Sequence, residues 1–265
     1  MNEQLSARKR RELIAHRIRD QAHVKVTDLM EEFGLTDTSI RRDLSILEEK
    51  GILQRVHGGA VSTTEGLQSM ALEERILHHG KEKRMIGSAA AALINSHDVI
   101  IFDSGTTVLQ AAKKIPPALQ NLGTLRIITN STLLLDEVGL WATPNLLLMG
   151  GIYLPEHRAT VGPEVLESLQ QISAQKVFLG CDGLTLDSGI TTAHPLIAEV
   201  GRAMASRADQ VVVLADHSKL GKAGFVSIMP VDHIDVLVTD SFATEDEIAM
   251  LRDRGVQVIV ATENQ

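Results

Sequence analysis

The chain has 265 residues, of which 26 are basic, 34 acidic and 44% apolar, giving a net charge of −8. Such a composition excludes a disordered chain, and the single cysteine, Cys181, excludes a disulfide scaffold and fits a reducing compartment. Aromatics are only 3%, too few for stacking on single-stranded nucleic acid, and no run reaches the roughly 18 apolar residues that span a bilayer. The N-terminus lacks an apolar signal core, so a cytoplasmic protein of two domains, away from membranes, is expected. Residues 1–60 carry 11 basic and 10 acidic side chains, leaving 15 and 24 for the rest. Within the first 19 residues six basic side chains face two acidic ones, and local charge decides whether a polyanion binds.

Three short helices and a hairpin are predicted over residues 1–61. Ile14, Ile18 and Ala22 recur every four residues, an apolar stripe on a helix from Ser6 to Ala22. Thr27 is the expected cap of a second helix bearing Leu29, Met30 and Phe33 and ending at Gly34. A third helix runs from about Asp37 to Lys50 and stops at Gly51, so the arrangement is a helix-turn-helix. Alternation from Ile52 to Val61, interrupted by Gly58 and Gly59, predicts a hairpin wing, and residues 62–71, without period, a linker. A helix from about Leu72 to Asn95, broken at Gly80, opens a domain over 72–265. Seven short apolar runs follow: Val99–Phe102, Leu125–Thr129, Leu146–Met149, Val177–Gly180, Val211–Ala215, Val236–Thr239 and Val256–Val260. Strands alternating with helices predict an α/β domain with a mainly parallel sheet covered on both faces.

On the third helix, about 100° per residue puts Ile40, Leu44 and Leu47 on one side and Thr38, Arg41, Arg42 and Ser45 on the other, in the half that enters the DNA major groove in this motif. Arginine either reads guanine edges or holds phosphates, and helix position alone does not separate the two. The segment LTDTSIRRDLSILEEKGILQRVHGGA, Leu35 to Ala60, resembles the DeoR-type family of bacterial transcription regulators, whose pattern is close to VSxxTIRRDLxxLExxGxLxRxHGGA. Thr36 stands where that family usually has Ser and Ser39 where it has Thr, both hydroxyls able to cap the helix or touch phosphate. The resemblance implies double-stranded operator DNA as partner, with Arg55 of the wing beside it. His57, next to Arg55, either touches phosphate or is a solvated turn residue.

The run DSGTT, Asp103 to Thr107, ends the first strand of the large domain and opens a helix. Gly105 lets the backbone approach an anion, and Ser104, Thr106 and Thr107 add hydroxyl donors, so the run outlines a phosphate site. Thr129-Asn130-Ser131, Gly150-Gly151, Asp182-Gly183 and Asp216-His217-Ser218-Lys219 also follow strands, and ligands in such folds collect outside the strands' carboxyl ends.

These runs too resemble the DeoR-type family, whose sensor domain is similar in fold to ribose-5-phosphate isomerase and glucosamine-6-phosphate isomerase. The resemblance implies a phosphorylated sugar held by Ser104, Gly105, Thr106 and Thr107, with Asp182 on a sugar hydroxyl, Lys219 as a second anchor, and Asp103, Asn130, Ser131 and Gly151 completing the site. Where many relatives carry Glu after GxTT, this chain has Ile197, with Glu199 two residues away; an isomerase needs a base placed at the substrate carbon. The reading is a repressor of a sugar-catabolism operon, a homo-oligomer (dimer or tetramer), with no catalytic residues and no cofactor; the alternative is a sugar-phosphate isomerase with an accessory DNA-binding module. The ten histidines show no metal-site spacing, His78 and His79 read as solvent-exposed, and no nucleotide-binding glycine loop occurs.

Overall fold

The computed structural model describes residues 7–21, 23–56, 58–62 and 72–263. Two compact units divide the chain, Met1–His78 and His79–Gln265.

In the first unit the four-residue stripe forms α1 (Ala7–Gln21) and buries Ile14 and Ile18 completely. Ala22, the next residue of that stripe, lies outside the described residues. A strand that no periodicity signals, β1 (His23–Lys25), leads into α2 (Val26–Phe33). Thr27 is not the cap: Lys25 holds that position without a side-chain hydrogen bond, and the Val26 N–H donates to the Gly58 carbonyl at 2.9 Å. A wing carbonyl thus satisfies a donor that would otherwise need a cap. Gly34 closes α2 in the left-handed conformation at φ 63°, its N–H on the Met30 carbonyl, and α3 (Asp37–Glu49) ends before Gly51, also left-handed.

Ile40, Leu44 and Leu47 are at most 3% exposed and join Ile14, Ile18, Leu29 and Leu53 in one core. Each such side chain contributes about 1.5–3 kcal/mol. The hairpin forms as β2 (Leu53–Val56) and β3 (Gly59–Ser62), with Val56 opposite Gly59; β1 pairs with the other edge of β3, so the wing has three strands. Beyond it, α4 (Leu72–Leu77) and α5 (Gly80–Ala91) replace the one broken helix predicted from 72 to 95, and the break falls at His78 and His79, before Gly80.

All seven predicted runs of the second unit become strands: β4 (Val99–Phe102), β5 (Arg126–Thr129), β6 (Leu146–Leu148), β9 (Ala174–Leu179), β12 (Ala208–Leu214), β14 (Val236–Asp240) and β15 (Gln257–Ala261). They form a single sheet in the order β15-β14-β12-β9-β4-β5-β6, and every pairing is parallel. Residues alternate between two cores: Ile101, Val177, Val213 and Leu237 enter one, and Ile100, Phe102, Phe178, Val212 and Val238 the other. Burial on both faces is why these strands read as unbroken apolar runs. Short antiparallel pieces decorate the sheet: the hairpin β7 (Ile152–Leu154) and β8 (Ala159–Val161), and a three-stranded sheet of β10 (Gly183–Thr185), β11 (Gly189–Thr192) and β13 (Val226–Met229). Chain order runs outward one way from β4 through β5 to β6, and the other way from β9 through β12 and β14 to β15. The topology therefore switches direction between β4 and β9, where a crevice opens at the carboxyl ends.

Candidate nucleic-acid and ligand sites

Thr38, Arg41 and Arg42 are exposed on α3, and Ser45 is half-buried. Arg41 Nε donates to Asp37 Oδ1 at 2.6 Å. Arg55 on β2 binds the Glu48 carboxylate through Nε at 3.3 Å and through its backbone N–H at 2.7 Å, and its Nη1 donates to Ser45 Oγ. Thr36 occupies the cap position of α3, yet its hydroxyl lies 3.2 Å from that of Ser39 and caps no backbone N–H. His57 lies outside the described residues.

The positive charge of α1 is spent mostly within the unit. Arg10 Nε and Arg11 Nη1 reach Asp43 at 2.6 and 3.1 Å, Arg17 pairs with Glu32, and Arg8 and Lys9 pair with Glu12. Asp43 is only 2% exposed although it lies one step outside the apolar stripe, about 40° beyond Leu47 on the helical wheel; what buries it is its pairing with α1, which no local spacing signals.

In the second unit, the loop after β4 meets the loop after β9. Gly105 and Gly180 approach so closely that a Cβ on Gly105 would sit 3.3 Å from Gly180 Cα and 3.2 Å from Val108 Cγ2. Gly105 has φ −66°, so what demands glycine is this approach and not a left-handed turn. It caps α6 (Thr106–Lys113) with no side-chain hydrogen bond, leaving the N–H groups of Thr106, Thr107 and Val108 without helical acceptors. Asp103 is buried and staples the two strands, accepting from Ser104 Oγ and from Gly180 N–H, each at 3.3 Å; burial pushes its pKa up.

Across the crevice, Asp182 Oδ2 accepts from Thr192 Oγ1 at 2.8 Å and from Ala193 N–H at 3.0 Å. Lys219 lies on a short 3-10 turn after β12, and its charge acts on Cys181 and Asp216. Burial pushes the Cys181 thiol up to about 12, which keeps it neutral. Asp216 is fully buried; burial favours its neutral form, but Lys219, Lys83 and His79, with a hydrogen bond from Ser218, outweigh that and hold the carboxyl well below the usual range. Seven-strand topology thus brings Ser104–Thr107, Asp182 and Lys219 to the same edge of the sheet, after the adjacent strands β4, β9 and β12.

Three other predicted ligand residues also make contacts that hold the fold. Asn130 is fully buried, with Nδ2 on the Thr160 carbonyl at 2.8 Å, and Ser131 caps α8 (Thr132–Val138) by accepting the Leu134 N–H at 3.4 Å. Gly151 passes so near β8 that a Cβ would sit 2.5 Å from the Val161 carbonyl oxygen. All three secure the β7–β8 hairpin, whose turn residue His157 packs edge-on at 5.5 Å against His194, at the start of α10 (Pro195–Ala205).

Contrary to the expectation for residues 78 and 79, His78 is buried, and His79 packs edge-on against His217 at 4.9 Å. The break between α4 and α5 puts His79 at the cap of α5, which turns its ring inward. Burial lowers the pKa of His79. That of His217 rises because Nδ1 lies 3.0 Å from Asp240 Oδ1. No sequence spacing announces a pair 138 positions apart. Among the described residues no group of side chains could hold a metal ion.

Comparison with known proteins accounts for both units. The profile of the DeoR-like helix-turn-helix domain matches residues 10–66, and that of the DeoR C terminal sensor domain matches residues 78–241. The chain belongs to the DeoR family. The transcriptional repressor AccR of Agrobacterium fabrum is 33% identical over 89% of this chain and 90% of its own length. The HTH-type transcriptional repressor GlcR of Bacillus subtilis is 35% identical over 85% of each chain, and a putative aga operon transcriptional repressor of Escherichia coli O157:H7 is 31% identical over 96% of this chain and 94% of its own. A ribose 5-phosphate isomerase from Methanocaldococcus jannaschii shares 16% identity over 54% of this chain and 55% of its own, at a TM-score of 0.39, too slight a likeness to bear on function. As a DeoR-type transcription regulator the chain carries its DNA-binding helix-turn-helix in the first unit and an α/β sensor in the second, and none of its described helices is long and apolar enough to cross a membrane. At the position where the family resemblance expects an acid, Ile197 is 8% exposed and packed in the core; Glu199 is exposed to solvent.

Proposed function

We propose that this DeoR-type regulator represses a sugar-catabolism operon and leaves its operator when a phosphorylated sugar enters the β4/β9 crevice. The observation that carries this reading is the uncapped helix N-terminus with the Thr106 and Thr107 hydroxyls at the topological switch point, with Lys219 after β12, the strand next to β9. The N–H groups at the start of α6 suit a phosphate, Asp182 suits a sugar hydroxyl, and Lys219 gives a second, cationic anchor. Asn130, Ser131 and Gly151 act by holding the hairpin that walls the site. Residues 1–61 bind DNA, 62–71 link, and the domain that follows binds effector and assembles the oligomer, since a single small module makes too few contacts for specific binding. Effector and operator are coupled reciprocally, by about 1–3 kcal/mol. Ile197 has no ionisable group and Glu199 is exposed to solvent, which counts against the isomerase alternative. A thermal-shift screen of phosphorylated sugars on the full chain tests the reading: one class should raise the melting temperature in a concentration-dependent way and release bound operator. Stabilisation by none of them, or turnover of one, would overturn it.

A further inference from the structure

The two arginines of the IRRDL run stand on different flanks of α3. At about 100° per residue, Thr38, Arg42 and Ser45 lie opposite the buried stripe of Ile40, Leu44 and Leu47, whereas Arg41 swings to the flank shared by Asp37, Leu44 and Glu48. That flank faces the wing. Arg41 and Arg55 line one cleft of about 260 Å³ between α3 and the wing, with Val26, Leu44, Val56 and Gly59 as its remaining walls. In both arginines Nε is engaged by an acid from α3, Asp37 for Arg41 and Glu48 for Arg55. Both terminal nitrogens of Arg41 and one of Arg55 are left for a ligand, since Arg55 Nη1 is on Ser45. Glu48 also takes the backbone N–H of Arg55, which ties the wing strand to the recognition helix and sets the width of the cleft.

We propose that this cleft seats one backbone phosphate of operator DNA, gripped jointly by Arg41 and Arg55, with Asp37 and Glu48 as positioning residues and base reading left to Thr38 and Arg42. Two guanidinium groups approaching from different elements cannot both lie in the plane of one guanine edge, but they suit a tetrahedral oxyanion. Gly59 leaves the floor free of a side chain, so the anion can enter between helix and wing. The inference rests on the DNA-binding reading and sorts the two arginines that helix position alone leaves unsorted.

The test uses the full chain and the duplex it enriches from a random-sequence library, remade as a series in which a single methylphosphonate removes the charge of one phosphate at a time. One position should weaken binding by the parent roughly tenfold or more, as loss of charge-assisted hydrogen bonds does. At that position the methylphosphonate should cost less in Arg41→Ala and in Arg55→Ala than in the parent and nothing further in the double variant, which should lose less than the sum of the singles. Both singles should weaken enriched and scrambled duplexes alike, and Arg42→Ala should instead lose preference at one base pair. Asp37→Asn and Glu48→Gln should each reproduce part of the loss at the same phosphate, which a purely structural role would not. Arginines that map to different phosphates, or an Arg41→Ala whose loss is confined to one base pair, would overturn the proposal. Failure of the parent to enrich any duplex would overturn the DNA-binding reading with it, and is told apart because no phosphate map is then obtained.

Discussion

The two units handle charge in opposite ways. In the first, most ion pairs stand at the surface, as with Arg41 and Asp37 at about half exposure each, and one buried carboxylate, Asp43, ties α1 to α3. In the second, charges gather at one sheet edge and go under: Asp216 is fully buried, and Lys83, His79 and Lys219 act on it from different elements. A surface built to meet a polyanion keeps its charges loose and exchangeable, since an exposed pair is worth at most about 1 kcal/mol. The anion site proposed for the second unit has its charges fixed by burial, where each interaction is stronger and each unpaired group more costly.

The sharpest way to break this contrast is Asp43→Ala. Removing the carboxylate strands Arg10 and Arg11, whose side chains are 15% and 26% exposed, and should destabilise the first unit by about 3–5 kcal/mol in urea unfolding. Asp37→Ala, which removes an exposed pair of similar length, should cost under about 1 kcal/mol. Equal losses would mean that burial does not distinguish the two pairs.

Next come Gly105 and Lys219 in the sensor. Gly105→Val should drive the β4 and β9 loops apart and abolish effector binding, measured by calorimetry; Gly105→Ala, which places only a Cβ at 3.2–3.3 Å, should weaken it less. Lys219→Ala should weaken binding by about 10- to 100-fold, the value of a hydrogen bond to a charged group. Undiminished binding by Gly105→Val would move the phosphate elsewhere. Thr106→Ala, losing one neutral hydrogen bond, should cost only about 0.5–1.5 kcal/mol of binding.

These effects also mark what was legible beforehand. The seven parallel strands could be read because both faces are buried, and Ile101 and Phe102, pointing opposite ways, are both apolar. Gly34 and Gly51 were legible because helix ends demand their left-handed backbone. β1 was not, since three residues carry no period and its hydrogen bonds go to β3. The candidate site divides the same way. Ser104–Thr107 announce themselves by a local pattern. The structural employment of Asn130 and Gly151 depends on a strand, β8, that arrives 30 and 10 residues later, and the His79–His217 contact joins two elements 138 positions apart. Local chemistry is written locally, whereas a role that depends on the fold appears only once the chain has returned.

The smallest predicted effect tests that returning contact by pH. The pKa of His217 is raised in the folded chain by its hydrogen bond to Asp240, whose own pKa is held down by that bond and by the backbone N–H groups of His217 and Phe242, against the upward pull of burial. A raised histidine pKa contributes stability that is fully present below the unfolded value of about 6.5 and is lost as pH rises through the folded value. His79 works in the other direction: burial lowers its pKa, so it favours the fold above about 6.5 and withdraws that preference as pH falls toward its folded value. His217→Asn should therefore lower the melting temperature most on the acid side of neutrality and progressively less as pH rises, and His79→Asn should relieve the acid-side loss caused by burying that ring. The two profiles must slope oppositely. Parallel slopes in a melting series across neutral pH would show that the pair titrates as one group, with Asp240 no longer distinguishing its members.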